Sequence, residues 1–410
     1  MSKVCGIITE YNPFHNGHAY HLDRSRREVG AQDVIAVMSG DFVQRGEPAM
    51  LDKYRRAQMA INCGVDIVLE LPVAWATSSA EGFADGACRV LAATNIVDTL
   101  CFGSEIGEIS PLWDIARQLC RETDEFKQVL KTNLAEGVSF PMARATAIAT
   151  TMGDDAADII NHPNNILGIE YLKAIINNDL VSRIAVRTIK RQGAAHNSDQ
   201  LQTEHASYGT ASAGAIRKHI HAGGDLARLL PLMPQNSFRV LVGEHRKTSI
   251  NRLDNFSSYL HYALHSTSKE QLLKLSGLSQ SMLNRLVNTA KSHYLISDVL
   301  EATKSKSHTH TALQRAVLRI ILGIYADSAK ADIPYIRVLG FRRKKEALLK
   351  RLHATSALPV VTNLKHAKNL SSNAHIMLEA EMSATRAYWL GLKAQGVPEK
   401  NELERPMAMV

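Results

Sequence analysis

Cysteine is sparse in this chain of 410 residues. There are five, Cys5, Cys63, Cys88, Cys101 and Cys120, and they are scattered, with no CxxC among them. An odd number with several inside apolar runs excludes a disulfide framework and a structural zinc site, and points to reduced thiols in the cytoplasm. No run of eighteen apolar residues occurs, so no membrane span is expected. Met1-Ser2-Lys3 leads straight into an apolar segment, which predicts no signal peptide. No internal repeat, Ser-His-Asp order or nucleophilic cysteine setting stands out, and nothing implies a protein partner. His219-Ile220-His221 and His308-Thr309-His310 lack Cys or carboxylate neighbours at metal spacing, so they read as surface histidines and no metal site is expected.

What is present is enough hydrophobic residue, 45% of the chain, for two or three cores. The net charge of +8 is unevenly distributed. Residues 1–221 hold 21 Lys+Arg against 26 Asp+Glu, a net of −5; residues 222–410 hold 27 against 14, a net of +13. A basic half joined to a mildly acidic one suggests a polyanion such as nucleic acid as its partner; the plain alternative is a solvated basic surface.

The first half alternates strand and helix. Apolar runs at Val4–Ile8, Val34–Met38, Val65–Leu71, Val97–Phe102 and Ile184–Ile189 read as buried strands, with helical patterns at Lys53–Cys63, Glu81–Ala92 and, after a loop at Asn161–Asn165, Ile166–Ile176. Pro111–Thr151 reads as helical. This rhythm predicts a parallel sheet covered on both faces, with ligands beyond the carboxyl ends of the strands. Met38-Ser39-Gly40, Glu70-Leu71-Pro72 and Phe102-Gly103-Ser104 fall at such ends and are expected to converge on one cleft. Lys190-Arg191-Gln192-Gly193, cations at a strand end, suits a polyphosphate. Residues 194–209 read as a polar loop. Beyond Gly223-Gly224 the alternation stops and the pattern is mostly helical, with Leu358–Val361 as a short extra strand. Phe341-Arg342-Arg343-Lys344-Lys345-Glu346 reads as the start of a cationic helix, a candidate contact for RNA phosphates; a solvated helix face is the plain alternative.

The opening stretch carries the chemistry. After the first strand, Asn12-Pro13 interrupts the chain, and His15-Asn16-Gly17-His18 leads into a helix. A strand, a tight turn and a helix N-terminus can hold phosphate, because unpaired N–H groups and the helix dipole face the anion. Gly17 permits close backbone approach. His15 and His18 can donate hydrogen bonds as charge builds on phosphoryl oxygens.

His15-x-Gly17-His18 resembles the HIGH-type motif of nucleotidylyltransferases and class I aminoacyl-tRNA synthetases. The longer string Glu10-Tyr11-Asn12-Pro13-Phe14-His15-Asn16-Gly17-His18 is similar to that of the bacterial tRNA(Met) cytidine acetate ligase family. Met38–Gly40 with Gln44–Pro48, then Glu70–Pro72, Phe102–Glu105, Pro163–Gly168 and Pro334–Gly340 fit the same family in order along the chain. The resemblance implies a Rossmann-like parallel-sheet nucleotidylyltransferase domain over residues 1–222, followed by a mainly helical basic tRNA-binding domain over 223–410. It implies ATP-dependent formation of acetyl-adenylate, then acetyl transfer to the wobble cytidine of elongator methionine tRNA.

On this reading His15 and His18 are catalytic. The ATP site comprises Ile8-Thr9-Glu10-Tyr11-Asn12-Pro13-Phe14-His15-Asn16-Gly17-His18-Ala19-Tyr20-His21 with Gly103, Asn164, Asn165, Arg191, Gln192, Ser212 and Arg217. Arg191 and Arg217 hold the outer phosphates. Arg342, Arg343, Lys344 and Lys345 touch tRNA. Mg²⁺ accompanies ATP without a protein cage. Thr210–Arg217 resembles the second nucleotidylyltransferase signature, but Gly214 stands where a threonine is expected, so fewer hydroxyls are available there. Asp41 and Glu105 are candidates for the base that takes the amine proton. Two rivals stand beside this reading: a nucleotidylyltransferase adenylating a small molecule without RNA, and a non-catalytic RNA-binding module.

Overall fold

This computed structural model describes residues 2–191, 211–245, 250–305 and 308–410, apart from residue 394 and the side chain of residue 366. Its strands are β1 (Val4–Thr9), β2 (Asp33–Ser39), β3 (Phe42–Val43), β4 (Glu47–Pro48), β5 (Ile67–Leu71), β6 (Thr99–Ser104), β7 (Ala185–Lys190), β8 (Ile336–Phe341), β9 (Val360–Val361) and β10 (Ala408–Met409). The main sheet runs β10-β8-β5-β2-β1-β6-β7, with β9 beside β8; β3 and β4 form a separate hairpin.

β5, β2, β1, β6 and β7 are parallel, as the near-continuous apolar runs require when both faces are covered. Alternate residues serve opposite faces. Ile35, Val37, Ile67 and Leu69 pack with Trp75, Leu91 and Leu172 on one side. Cys5, Ile7, Ala36 and Met38 pack with Tyr54, Ala57 and Ile216 on the other. The order changes direction at β1, whose two neighbours β2 and β6 lead to opposite edges. That crevice, beyond the carboxyl ends of β1 and β6, is where such sheets bind ligands.

Helix starts follow local chemistry. Asp52 accepts from the N–H groups of Tyr54 and Arg55 and opens Lys53–Asn62, and Ser79 opens Ala80–Ala93 through Gly82 N–H. The span read as helical from Pro111 to Thr151 is three helices, Ile109–Cys120, Asp124–Ala135 and Phe140–Met152. The expected loop at Asn161–Asn165 is shorter: Pro163 occupies the first helical turn, where its missing N–H costs nothing, and the helix runs Pro163–Asn177.

The second half is mainly helical, with a core of Leu283, Leu286, Val299, Leu313, Val317 and Trp389. Yet the sheet draws on both sides of the 222/223 boundary. β8 lies antiparallel against β5, and β9 and β10 flank β8. Ile336–Phe341 was not expected as a strand; its six residues are all buried, so alternation is lost and strand cannot be told from buried helix by pattern alone. The helix expected from Phe341 begins instead at Glu346, after a 3-10 turn at Arg343–Lys345. Among the described residues no helix is long and apolar enough to cross a membrane.

Candidate active site

The cleft lies at the crevice that the strand order predicts. Ile7 to Asn12 line it from the end of β1, Phe102 and Gly103 from β6, and Ile189 to Arg191 from β7. Ser212, Ala213 and Gly214 open the Ala213–His221 helix against it, and Gln44 and Arg45 reach it from the β3–β4 hairpin.

His15 is the N-cap of the Asn16–Val29 helix, and its Nδ1 accepts from Gly17 N–H (3.0 Å). His18 Nδ1 accepts from His15 N–H (3.3 Å), which closes a capping box built from two imidazoles. The rings stack with centroids 3.8 Å apart. With Nδ1 accepting, the hydrogen of each neutral ring sits on Nε2. One backbone turn therefore engages both Nδ1 atoms and sets both rings in the cleft lining. Gly17 has a specific reason to be glycine: a Cβ there would stand 2.9 Å from His15 Cε1. The close approach is that of the His15 ring. Tyr11, at φ +47°, holds an unfavourable left-handed conformation in the same turn and packs edge-on against His18.

Gly103 is cradle-like. A Cβ there would touch only Arg191 Cγ (3.4 Å), His21 (3.7 Å) and a carbonyl (3.8 Å), so a side chain would fit the fold but fill the cleft. Asn164 lines the cleft, and Arg191 Nη1 lies 3.4 Å from its Oδ1. Gly214 is open on the same terms: among the described residues its Cβ would meet Ser212 Oγ alone, at 3.5 Å. Ser212 Oγ caps the helix through Ala215 N–H (3.0 Å), and this N-terminus faces the cleft.

Several expected members stand back from the cleft. Phe14 is fully buried, and its carbonyl accepts from Ser237 Oγ (2.8 Å). Asn16 donates to the Pro231 carbonyl (2.8 Å). Pro13 is buried, and Ala19 packs towards the core. Asn165, 1% exposed, is structural: its Oδ1 accepts from the N–H groups of Glu105 (2.9 Å) and Ile106 (3.3 Å), and its Nδ2 donates to the Ile159 carbonyl (3.0 Å). Arg217 lines the cleft but spends its guanidinium on Glu47 (2.7 Å) and the Asn12 carbonyl (2.8 Å). Gln192 lies outside the described residues, as do the loop expected at 194–209 and Thr210. Phe83 and Tyr171 line the cleft without having been singled out; they are helix residues indistinguishable in sequence from core, and Leu167, from the Pro163–Gly168 motif, lines it beside them.

The other two strand-end motifs do not reach the cleft. Ser39 and Gly40 are buried, and their carbonyls accept from Arg56. Glu70 enters a dry ionic cluster: Lys53 contacts Glu70 and Glu402, each at 2.8 Å, and Arg337 lies 3.2 Å from Glu70 and also pairs with Glu402. Asp41 belongs there too, accepting from Lys53 N–H (2.8 Å) and Thr385 Oγ1 (2.9 Å). Glu105 is likewise committed, accepting at the start of the Pro163–Asn177 helix from Asn164 N–H (3.2 Å) and Asn165 N–H (2.8 Å). Neither Asp41 nor Glu105 is placed to take a proton in the cleft.

The cation run lies at the amino ends of the strands, across the sheet from the cleft. Arg342 contacts Asp66 (3.2 Å) and Lys345 contacts Asp33 (2.6 Å), whereas Arg343 and Lys344 are exposed.

The chain matches the family described as HIGH Nucleotidyl Transferase over residues 2–402. It is 39% identical to the tRNA(Met) cytidine acetate ligase of Caldanaerobacter subterraneus, over 95% of this chain and 96% of that protein. It is 37% identical to the enzyme of the same name from Clostridium perfringens, over 94% of each. The crystal structure of Thermotoga maritima TmcAL bound with alpha-thio ATP superposes with a TM-score of 0.89 at 31% identity, covering 100% of this chain and 99% of that one. The apo form of the same protein gives a TM-score of 0.91 at 32% identity. With its strand order, its paired histidines and these full-length matches, the chain belongs to the tRNA(Met) cytidine acetate ligase family, a family of ligases within the HIGH nucleotidyl transferases.

Proposed function

We propose that the cleft binds ATP, activates acetate as acetyl-adenylate, and transfers the acetyl group to N4 of the wobble cytidine of elongator methionine tRNA. The observation that supports this reading is the imidazole capping box, which holds both Nδ1 atoms as acceptors and sets both rings in the cleft lining. Acetate attacks the α-phosphorus, charge grows on the α-phosphoryl oxygens, and His15 and His18 stabilise it as pyrophosphate leaves. Gly103 and Asn164 form the adenosine side. Lys190 and Arg191, both exposed at the end of β7, meet the outer phosphates. Arg217 acts one step removed, fixing the Asn12 carbonyl and the hairpin.

Mg²⁺ accompanies ATP. When bound with ATP the ion would be held chiefly by phosphates and water and would neutralise phosphate charge. A carboxyl–phosphoryl anhydride is the donor this chemistry needs, because the cytosine amine is delocalised into its ring and is a poor nucleophile. The reading places the enzyme in the cytoplasm with its tRNA, and the basic second half, +13 over residues 222–410, supplies attraction for RNA.

The test is to incubate the protein with ATP, labelled acetate and total bacterial tRNA, then digest the RNA to nucleosides. Labelled N4-acetylcytidine supports the reading. AMP retained on a small product with RNA untouched supports a small-molecule nucleotidylyltransferase, and no turnover supports a binding module.

A further inference from the structure

Glu10 supplies the single carboxylate among the described residues that line the cleft. It follows β1 directly, and Arg56 pins its carbonyl (2.6 Å). Its Oε1 accepts from Gln44 N–H (2.9 Å). Among the described residues no other hydrogen bond or ion pair reaches the carboxylate, which leaves Oε2 open to the cleft. Gln44 is itself braced from the second half of the chain. Arg315 Nη1 lies 3.4 Å from its carbonyl, and the neighbouring Gly46 lies so close to the His310–Leu322 helix that a Cβ would stand 2.5 Å from Arg315 N. The half of the chain that attracts RNA thus holds the hairpin that holds Glu10.

We propose that Glu10 is the general base of the acetyl-transfer step, taking on Oε2 the proton that the cytidine N4 amine loses. The inference rests on the function proposed above. N4 attacks the acyl carbon of acetyl-adenylate and a C–N bond forms. The nitrogen becomes acidic and passes one proton to Glu10. The C–O bond to phosphorus-bound oxygen then breaks, AMP leaves with the electron pair, and Glu10 returns the proton to solvent. Without that proton transfer the intermediate expels the amine, a better leaving group when protonated.

The surroundings suit the role. Burial raises the Glu10 carboxyl above its ordinary value; Gln44 N–H, Arg217 and Arg45 oppose the rise, and Glu47 adds to it. Tyr171, on the Pro163–Asn177 helix, lines the same cleft. A base whose affinity for protons is raised towards neutrality is more effective at physiological pH.

The test uses the full chain in single turnover. Enzyme-bound acetyl-adenylate is formed from ATP and labelled acetate, freed of excess ATP, and mixed with methionine tRNA across a pH series. Wild-type transfer is expected to slow on acidification. In Glu10→Gln transfer falls about a hundredfold or more and the acid limb disappears, while adenylate formation loses far less. Added formate accelerates transfer by Glu10→Ala. Equal loss in both steps, or transfer within about threefold of wild type, overturns the assignment. Should neither variant fold, the wild-type profile decides, because a transfer rate indifferent to acidification is incompatible with a carboxylate base. Wild-type enzyme that forms no acetylcytidine at all overturns the function proposed above, and the role of Glu10 with it.

Discussion

At the scale of single residues, one turn decides the chemistry. The HxGH spacing works because the first imidazole caps the helix, the second caps back, and glycine leaves space for the first ring. His18→Ala is expected to lower pyrophosphate release by about a hundredfold, the loss of one transition-state donor worth about 3 kcal/mol, with the fold retained. Near-normal release by a folded variant would remove His18 from the mechanism. Gly17→Ala separates activity from stability. Alanine in a first helical turn gains up to about 1 kcal/mol of propensity over glycine, yet its Cβ displaces the His15 ring. The displaced ring also gives up its cap on Gly17 N–H, worth about 1 kcal/mol, so the expected outcome is a melting temperature little changed together with slowed adenylate formation, read by thermal melting and pyrophosphate release on one preparation.

At the scale of elements, strand ends sort the motifs. Of the main-sheet strands, β1, β6 and β7 deliver residues to the cleft, since the crevice opens where the order turns at β1. The ends of β2 and β5 lie further along the sheet and are covered by the second half, so Ser39 and Glu70 meet protein instead of ligand. The 3-10 turn after β8 divides its four cations by their acidic neighbours. Asp66 is fully buried and takes both Arg26 (2.8 Å) and Arg342 (3.2 Å). Arg342→Ala with Lys345→Ala should therefore destabilise the fold by about 1–2 kcal/mol, discounted for partial exposure of both cations, and denaturant melts would register it. Arg343→Ala with Lys344→Ala should leave the melt unchanged. If those two side chains meet RNA phosphates, the slope of log tRNA affinity against log salt falls by about 0.7–0.9 for each contact. An unchanged slope would assign that turn to solvent.

At the scale of the whole molecule, the dry ionic cluster joins the two halves. Lys53 and Glu70 come from the first; Arg337, Thr385 and Glu402 come from the second. Burial would raise the Glu402 carboxyl, but Lys53 and Arg337 hold it down to about 2. Glu381, whose carboxylate accepts from Val73 N–H, is pushed up to about 8 by burial and then by Glu70. The two act in opposite directions. A lowered carboxyl contributes stability that is present above the unfolded value of 4.5 and lost as pH falls towards 2. A raised one contributes stability that is full below 4.5 and lost as pH rises through about 8. Glu381→Gln mimics the protonated side chain, so its stability relative to wild type should climb between pH 5 and pH 8.5. Denaturant melts at the two values test this; a constant difference would mean that Glu381 is ionised in the folded protein throughout.

Sequence by itself determined the parallel sheet, the paired-histidine turn and the family, because buried parallel strands read as apolar runs and that turn is local. Gly103, Asn164 and Arg191 were legible as motif residues, and all three line the cleft. Asn164 and Asn165 show where such legibility stops: adjacent in one motif, they start the same helix turn, yet Asn164 lines the cleft while its Nδ2 donates to Glu105 (2.6 Å), and Asn165 is buried and accepts from backbone N–H groups. Only tertiary structure decided that β8 completes the sheet, since a strand buried on both faces carries no alternation and its partner β5 lies more than 260 residues away. It alone separated the carboxylates. Glu10, Asp41, Glu70 and Glu105 all sit at or near strand ends and each finds a buried cation or a backbone N–H from another segment, but only Glu10 among them lines the cleft. What a carboxylate can do depends on which neighbours the fold brings to its oxygens.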